Sequence, residues 1–150
     1  MKEARMDLWE AEADLRVITT NPIINRHGAA VMGRGCAREA KERITGLKYH
    51  FAKLLRRHGN RVMRLTRPRK GSKGAALASF PVKHHYREAA DPDLIVRSAR
   101  QLVALADKFG YSQIVLARPG CGNGSLHWND VRPLLAGILD DRFTVLTFPE

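Results

Sequence analysis

The stretch Asp14–Gly46, DLRVITTNPIINRHGAAVMGRGCAREAKERITG, passes from a β pattern to a helical one across a single loop. LRVITT is apolar and β-branched and predicts a strand over Asp14–Thr20, which Asn21 and Pro22 terminate. In CAREAKERITG the positions Ala37, Ala40 and Ile44 recur at helical spacing until Gly46 closes the turn. Between them, INRHGAAVMGRG is a glycine-bearing loop that feeds a helix N-terminus. A strand delivering the chain to a helix in this way is the building unit of α/β layer folds.

Beyond this stretch, Leu47–His58 predicts a second amphipathic helix, with Phe51, Leu54 and Leu55 inward, Lys53, Arg56 and Arg57 outward, and Gly59-Asn60 as its stop. Arg61–Thr66 and Ala75–Phe80 read as strands joined by the basic turn PRKGSKG, and Pro81 stops the second. Asp91 and Pro92 are a helix start, followed by Leu94, Ile95, Ala99, Leu102 and Leu105 at helical spacing as far as Phe109-Gly110. QIVLA at Gln113–Ala117 has the apolar run of a buried strand, a last helix is expected around Asn129–Leu139, and FTVLTF predicts a strand at Phe143–Phe148. On the N-terminal side, Asp7–Glu10 reads as a short strand. The expected order is β-β-α-α-β-β-α-β-α-β, an α/β protein built as a three-layer α/β/α sandwich on a mixed central sheet, with residues 1–150 forming one domain.

With 44% hydrophobic and 27% charged residues the composition is that of a globular chain, and the formal net charge is +11. That excess is local. Residues 34 to 73 hold 14 Lys and Arg against two Glu, whereas the rest of the chain holds 12 basic and 13 acidic residues. The segment running from Arg34 through Arg56, Arg57, Arg61, Arg64, Arg67, Arg69, Lys70 and Lys73 is either a solvated face or a surface for an anionic partner, with nucleic acid the leading candidate. Two cysteines, Cys36 and Cys121, make no disulfide framework, and the N-terminus is charged from its second residue. A cytoplasmic protein with no membrane association is the expectation.

Ligands of such sheets collect on loops leaving the carboxyl ends of strands, here Asn21–Gly35, Pro81–Asp91 and Pro119–Trp128. The first carries Gly33 and Gly35, and the third Gly120, Gly122 and Gly124, glycines that let backbone N–H groups approach an anion at the start of a helix. Neither is a nucleotide fingerprint by spacing: GRGCAR lacks the third glycine of GxGxxG, and GSKG lacks the lysine-hydroxyl pair of a Walker loop. Lys83 follows a strand-ending Phe-Pro, beside His84 and His85. A lysine there binds phosphate or, where desolvation and nearby cations depress its pKa, acts as a nucleophile; the alternative is an ordinary surface lysine. Cys121 is a weaker nucleophile candidate, with His85 or His127 as base. Cys36, Cys121, His84, His85 and His127 show no CxxC or HxxxH spacing, so neither a metal nor a cofactor is expected.

Together VITTN (Val17–Asn21), AVMGRGCA (Ala30–Ala37), SFPVKHHYR (Ser79–Arg87) and RPGCGNGSLHWNDV (Arg118–Val131) resemble the macrodomain family, the ADP-ribose-binding module, over nearly the whole chain and in order. The FPxKxHxR-like segment is similar to the branch that holds the DarG-type antitoxins, which remove ADP-ribose from thymidine in DNA, and the terminal ADP-ribose protein glycohydrolases. The resemblance implies Lys83 as the catalytic residue. It implies Asn21 and the loop of Val31, Met32, Gly33 and Gly35 around the distal ribose, and Pro119, Gly120, Cys121, Gly122, Asn123 and Gly124 around the diphosphate. Two departures stand out. The protein-directed enzymes carry an acidic residue in the last glycine loop where this chain has Gly124, which favours the DNA-directed relatives. The family's adenine-contacting aspartate has no legible counterpart, leaving Glu10, Glu12 and Asp14 as the acids at hand. The expected activity is hydrolysis of ADP-ribose from a modified acceptor, DNA first and protein second; a non-catalytic ADP-ribose reader and a basic nucleic-acid-binding domain are the competing readings.

Overall fold

The computed structural model describes residues 1–68 and 74–148. Its elements are β1 (Lys2–Arg5), β2 (Leu15–Thr20), α1 (Gly35–Arg43), α2 (Leu47–His58), β3 (Arg64–Thr66), β4 (Ala76–Pro81), α3 (Pro92–Phe109), β5 (Ile114–Ala117), α4 (Trp128–Ala136) and β6 (Phe143–Thr147). The six strands form one sheet in the order β1-β6-β5-β2-β4-β3, with only the β3–β4 pair antiparallel among the described residues. A mixed sheet was the expectation, and its element order agrees. Of the turn expected at PRKGSKG, residues 69–73 lie outside the described residues.

Alternation along the strands splits the core in two. Leu15 and Val17 of β2 point with Phe80, Leu116 and Phe143 toward Ile95, Ala99 and Leu102 of α3 and Val131 and Leu135 of α4. Ile18, Leu77, Val115 and Leu146 point the other way, onto Ala37 and Ala40 of α1 and Phe51, Ala52 and Leu55 of α2. The result is helices on both faces of the sheet, the three-layer arrangement. Asp91 caps α3 as its sequence predicts, accepting from the Asp93 N–H at 2.9 Å, with Pro92 in the first turn.

One strand falls elsewhere than expected. Asp7–Glu10 is a turn: the Asp7 carboxylate accepts from the Trp9 N–H at 2.8 Å and its carbonyl from Glu10 and Ala11, so the side chain competes for the backbone. The guanidinium of Arg16, 2% exposed, pins this turn from within the sheet by donating to the carbonyls of Leu8 and Ala11. The first strand is instead Lys2–Arg5, exposed at all four positions and paired in parallel with β6.

Because β5, β2 and β4 are adjacent and parallel, their carboxyl ends open on one edge of the sheet. The loops leaving them therefore converge. Among the described residues no helix is long and apolar enough to cross a membrane.

Candidate functional site

Between these loops lies a cleft of about 800 Å³, within the range of small-molecule sites. Asn21, Val31, Met32, Gly33 and Gly35 line one side, Gly120, Gly122, Asn123 and Gly124 another, and Lys83 its edge. Pro119 and Cys121 are not among the lining residues. Cys121 packs against the α3/α4 core and its thiol donates to the Pro119 carbonyl at 3.4 Å. Burial pushes that thiol up from its ordinary pKa, away from the thiolate a nucleophile needs. Cys36, expected only as part of an unconvincing metal set, lines the cleft as the second residue of α1 and is engaged by Thr19, whose N–H lies 3.4 Å from its sulfur.

The glycine-rich loop after β5 is closed on itself and fixed to the segment that leads into α3. Leu126 N–H donates to the Gly120 carbonyl and Ala90 N–H to the Gly124 carbonyl, each at 2.9 Å. Gly120 sits at φ +73°, and a Cβ there would come within 2.9 Å of Ala90 and Ile95. At Gly124 a Cβ would meet the Gly120 carbonyl oxygen at 2.5 Å and its Cα at 2.7 Å. A Cβ does not fit at 124 without a shift of the loop backbone, so packing alone accounts for the glycine there. The two glycine loops also touch, since a Cβ on Gly35 would lie 3.3 Å from the Asn123 amide nitrogen.

Helix α1 begins at this junction with no side-chain cap and no acid in its first turn, and Arg34 precedes it. Its first N–H groups, the helix dipole and a cation therefore meet at the cleft, an arrangement that suits an anion. Across the cleft, Lys83 Nζ donates to the carbonyls of Asn123 at 3.0 Å and Tyr86 at 3.3 Å. An ammonium has three donors, so one remains for a ligand. From behind, the Asn60 amide donates to the Lys83 carbonyl at 3.2 Å, and the Arg97 guanidinium to the Asn60 carbonyl at 3.2 Å. Beside Lys83, His84 Nε2 meets the Asp91 carboxylate at 2.8 Å, and that hydrogen bond holds the Asp91 carboxyl below its usual range.

Several lining residues were not singled out from the sequence: Thr19 and Thr20 at the end of β2, Tyr86 and Glu88, Arg118, and Phe148 after β6. Thr20 is 5% exposed, and its hydroxyl has no partner among the described residues. Tyr86 and Phe148 are 39% and 56% exposed and supply aromatic faces at the cleft. Arg118 stacks over Trp128, whose indole N–H donates to Glu3 at 2.9 Å. For Thr19, Thr20, Arg118 and Phe148 the signal was position, at or one residue beyond a strand end, whereas Tyr86 and Glu88 lie further along the loop after β4. None of Glu10, Glu12 and Asp14 lines the cleft. Asp14 precedes β2, at the opposite edge of the sheet, where its carboxylate accepts from the N–H groups of Ser112 and Gln113.

No family model matches the chain. A curated DNA ADP-ribosyl glycohydrolase of Thermus aquaticus is 24% identical over 142 residues, and the match spans 93% of this chain but 38% of that relative. Among solved structures, the macrodomain of Mycobacterium tuberculosis DarG superposes with a TM-score of 0.82 at 24% identity, covering 99% of this chain and 97% of that one. Thermosipho africanus DarTG, solved in complex with ADP-ribose, superposes with a TM-score of 0.81 at 20% identity over 95% of this chain and 40% of its own. The chain has the macrodomain fold.

Proposed function

We propose that the cleft binds ADP-ribose and that the protein hydrolyses the bond between the distal ribose and a modified acceptor, DNA in the first instance. The observation that carries this reading is Lys83, a donor held at the cleft edge by the carbonyls of Tyr86 and Asn123, facing two glycine loops and the uncapped start of α1. The diphosphate fits between the loops, where backbone N–H groups and the α1 dipole supply positive potential without side-chain entropy. Asn21 and the Val31–Gly35 segment take the distal ribose, and the exposed ring of Phe148 offers the adenine a stacking face.

With Nζ already donating to two carbonyls, Lys83 is arranged as a hydrogen-bond donor. In the reaction the glycosidic bond from the ribose anomeric carbon to the acceptor breaks, the departing group takes the electron pair, a water oxygen bonds to the carbon, and the proton that this water loses is balanced by the one the departing group takes up. Lys83 stabilises the charge that builds on the departing group, and the bound diphosphate fixes the scissile bond beside it. DNA as acceptor draws support from the relatives named for it and from the basic segment that begins at Arg34. The decisive assay incubates wild type and Lys83→Ala with ADP-ribosylated oligonucleotide and with ADP-ribosylated protein, alongside calorimetry with ADP-ribose. Release from the oligonucleotide by wild type alone is the expected result. Folded protein that binds ADP-ribose and releases nothing is a reader, and protein that does neither overturns the cleft assignment.

A further inference from the structure

Helix α2 turns two different faces outward and inward. Leu47, Phe51, Ala52 and Leu55 are buried, whereas Tyr49, Lys53, Arg56 and Arg57 are exposed and recur at intervals of four, three and one residues, which places them along one stripe. The helix contains no acid. Tyr49 is 48% exposed, and the Lys48 ammonium lies 5.3 Å from its ring centroid, so an aromatic face and a cation are presented together. The stripe also has a fixed relation to the cleft. Asn60, two residues beyond α2, donates to the Lys83 carbonyl, so the helix ends directly behind the lysine. At its side, Arg56 reaches the loop after β2, its guanidinium 3.6 Å from where a Gly28 Cβ would stand.

We propose that the outer stripe of α2 is a track for a single-stranded nucleic acid, along which the strand bearing ADP-ribose leaves the Lys83 end of the cleft and runs toward Tyr49. This rests on the ADP-ribose reading of the cleft but concerns a separate surface. Lys53, Arg56 and Arg57 neutralise successive phosphates along a helix about 18 Å long. Tyr49 stacks on an unpaired base, a contact that a duplex, whose bases are already stacked, cannot offer. An acidic polypeptide would satisfy the cations but leave the aromatic face without a use.

The test uses the full chain with a fluorescent single-stranded oligothymidine, the matching duplex, polyglutamate, and ADP-ribosylated forms of the oligonucleotide and of free thymidine. The double variant Lys53→Glu/Arg57→Glu should bind the single strand at least about tenfold more weakly, with the slope of log K against log salt reduced by about 1.4 for two lost phosphate contacts. Tyr49→Ala should weaken single-strand binding about fivefold or more and leave duplex binding unchanged. Both variants should lose kcat/KM on the modified oligonucleotide and keep it on modified thymidine, with unchanged ADP-ribose affinity and melting temperature. Wild-type oligonucleotide affinity in both folded variants overturns the track, as does tighter binding of polyglutamate than of oligothymidine. Failure of the cleft reading looks different: no ADP-ribose binding and no turnover on either substrate, whatever the oligonucleotide does.

Discussion

Lys83 Nζ donates to the carbonyl oxygen of Asn123 at 3.0 Å, joining the segment after β4 to the glycine loop after β5 across 40 residues of sequence. This bond and the one to Tyr86 orient the amine before any ligand arrives, so no side-chain entropy need be lost when substrate binds. Lys83→Ala should therefore lower kcat on ADP-ribosylated DNA by about 10²–10³, the usual cost of removing one preorganised donor. ADP-ribose affinity should change little if, as proposed, backbone N–H groups hold the diphosphate. Lys83→Arg keeps the charge but cannot place one nitrogen between the two carbonyls, and should recover less than a tenth of the lost rate. Single-turnover rates on modified oligonucleotide, with calorimetry for affinity, measure both.

Gly124 tests whether the glycine loop is shaped by packing or by chemistry. A Cβ would overlap the Gly120 carbonyl oxygen at 2.5 Å, within the loop, and the Ala90 side chain at 2.8 Å, in the segment before α3 to which the loop is bonded. Gly124→Ala should destabilise by about 1–3 kcal/mol, the usual range for overpacking. Gly124→Asp should do at least as much harm and should not create a protein-directed enzyme. A thermal melt with ADP-ribose titration checks this; an Asp variant with wild-type melting temperature would mean that the loop opens without cost.

How far the sequence carries depends on where its information lies. Leu47–His58 forms the predicted helix end to end because its apolar positions at 47, 51 and 55 face a core that its own periodicity announces. Lys2–Arg5 carries no such pattern: every side chain is exposed, and the strand exists only because β6, at the other end of the chain, pairs with it. The cleft was legible where glycines and Lys83 mark it. Thr20, Tyr86, Glu88 and Phe148 were not, since their relation to one another is created by the parallel order of β6, β5, β2 and β4. Asp14, one of the acids weighed for adenine contact, shows the converse, for only the strand direction reveals that it faces away from the cleft.

Asp14 carries a pH signature. Hydrogen bonds from Ser112 N–H first, and from Gln113 N–H and the Ser112 hydroxyl, hold its carboxyl below the ordinary value, against a smaller opposing effect of burial. A carboxylate with a depressed folded-state pKa contributes stability that is complete above its unfolded value, about 3.9, and is lost as pH falls through the folded value. Asp14→Asn should therefore melt below wild type at pH 7, and the difference should shrink from about pH 4 downward. Melting curves of both proteins across this range isolate Asp14 from Glu3, Asp91 and Asp140, whose carboxyls are also held low. A difference that stays constant down to pH 2 would refute the assignment.

Thr20 places an unpartnered hydroxyl inside the protein at the end of β2. It ends β2 at 5% exposure, its N–H and carbonyl belong to the sheet edge, where the Val82 N–H donates to its carbonyl at 3.1 Å, and its hydroxyl has no partner among the described residues. A buried hydroxyl without a partner costs about 1–3 kcal/mol. Valine has nearly the same shape and suits a strand, so Thr20→Val should raise the melting temperature of the free protein by about 2–4 °C for each kcal/mol recovered. Thr20 also lines the cleft beside Asn21, but through atoms other than this hydroxyl, which is closed off from it. Thr20→Val therefore removes no group that a ligand reaches, and ADP-ribose affinity should stay within about twofold of wild type, less than the worth of one neutral hydrogen bond. The thermal shift produced by saturating ADP-ribose should then be retained, measured from the higher starting temperature. A melting temperature at or below wild type would show that the hydroxyl is satisfied in solution, and a loss of affinity of about fivefold or more would show that it turns into the cleft to meet the ligand.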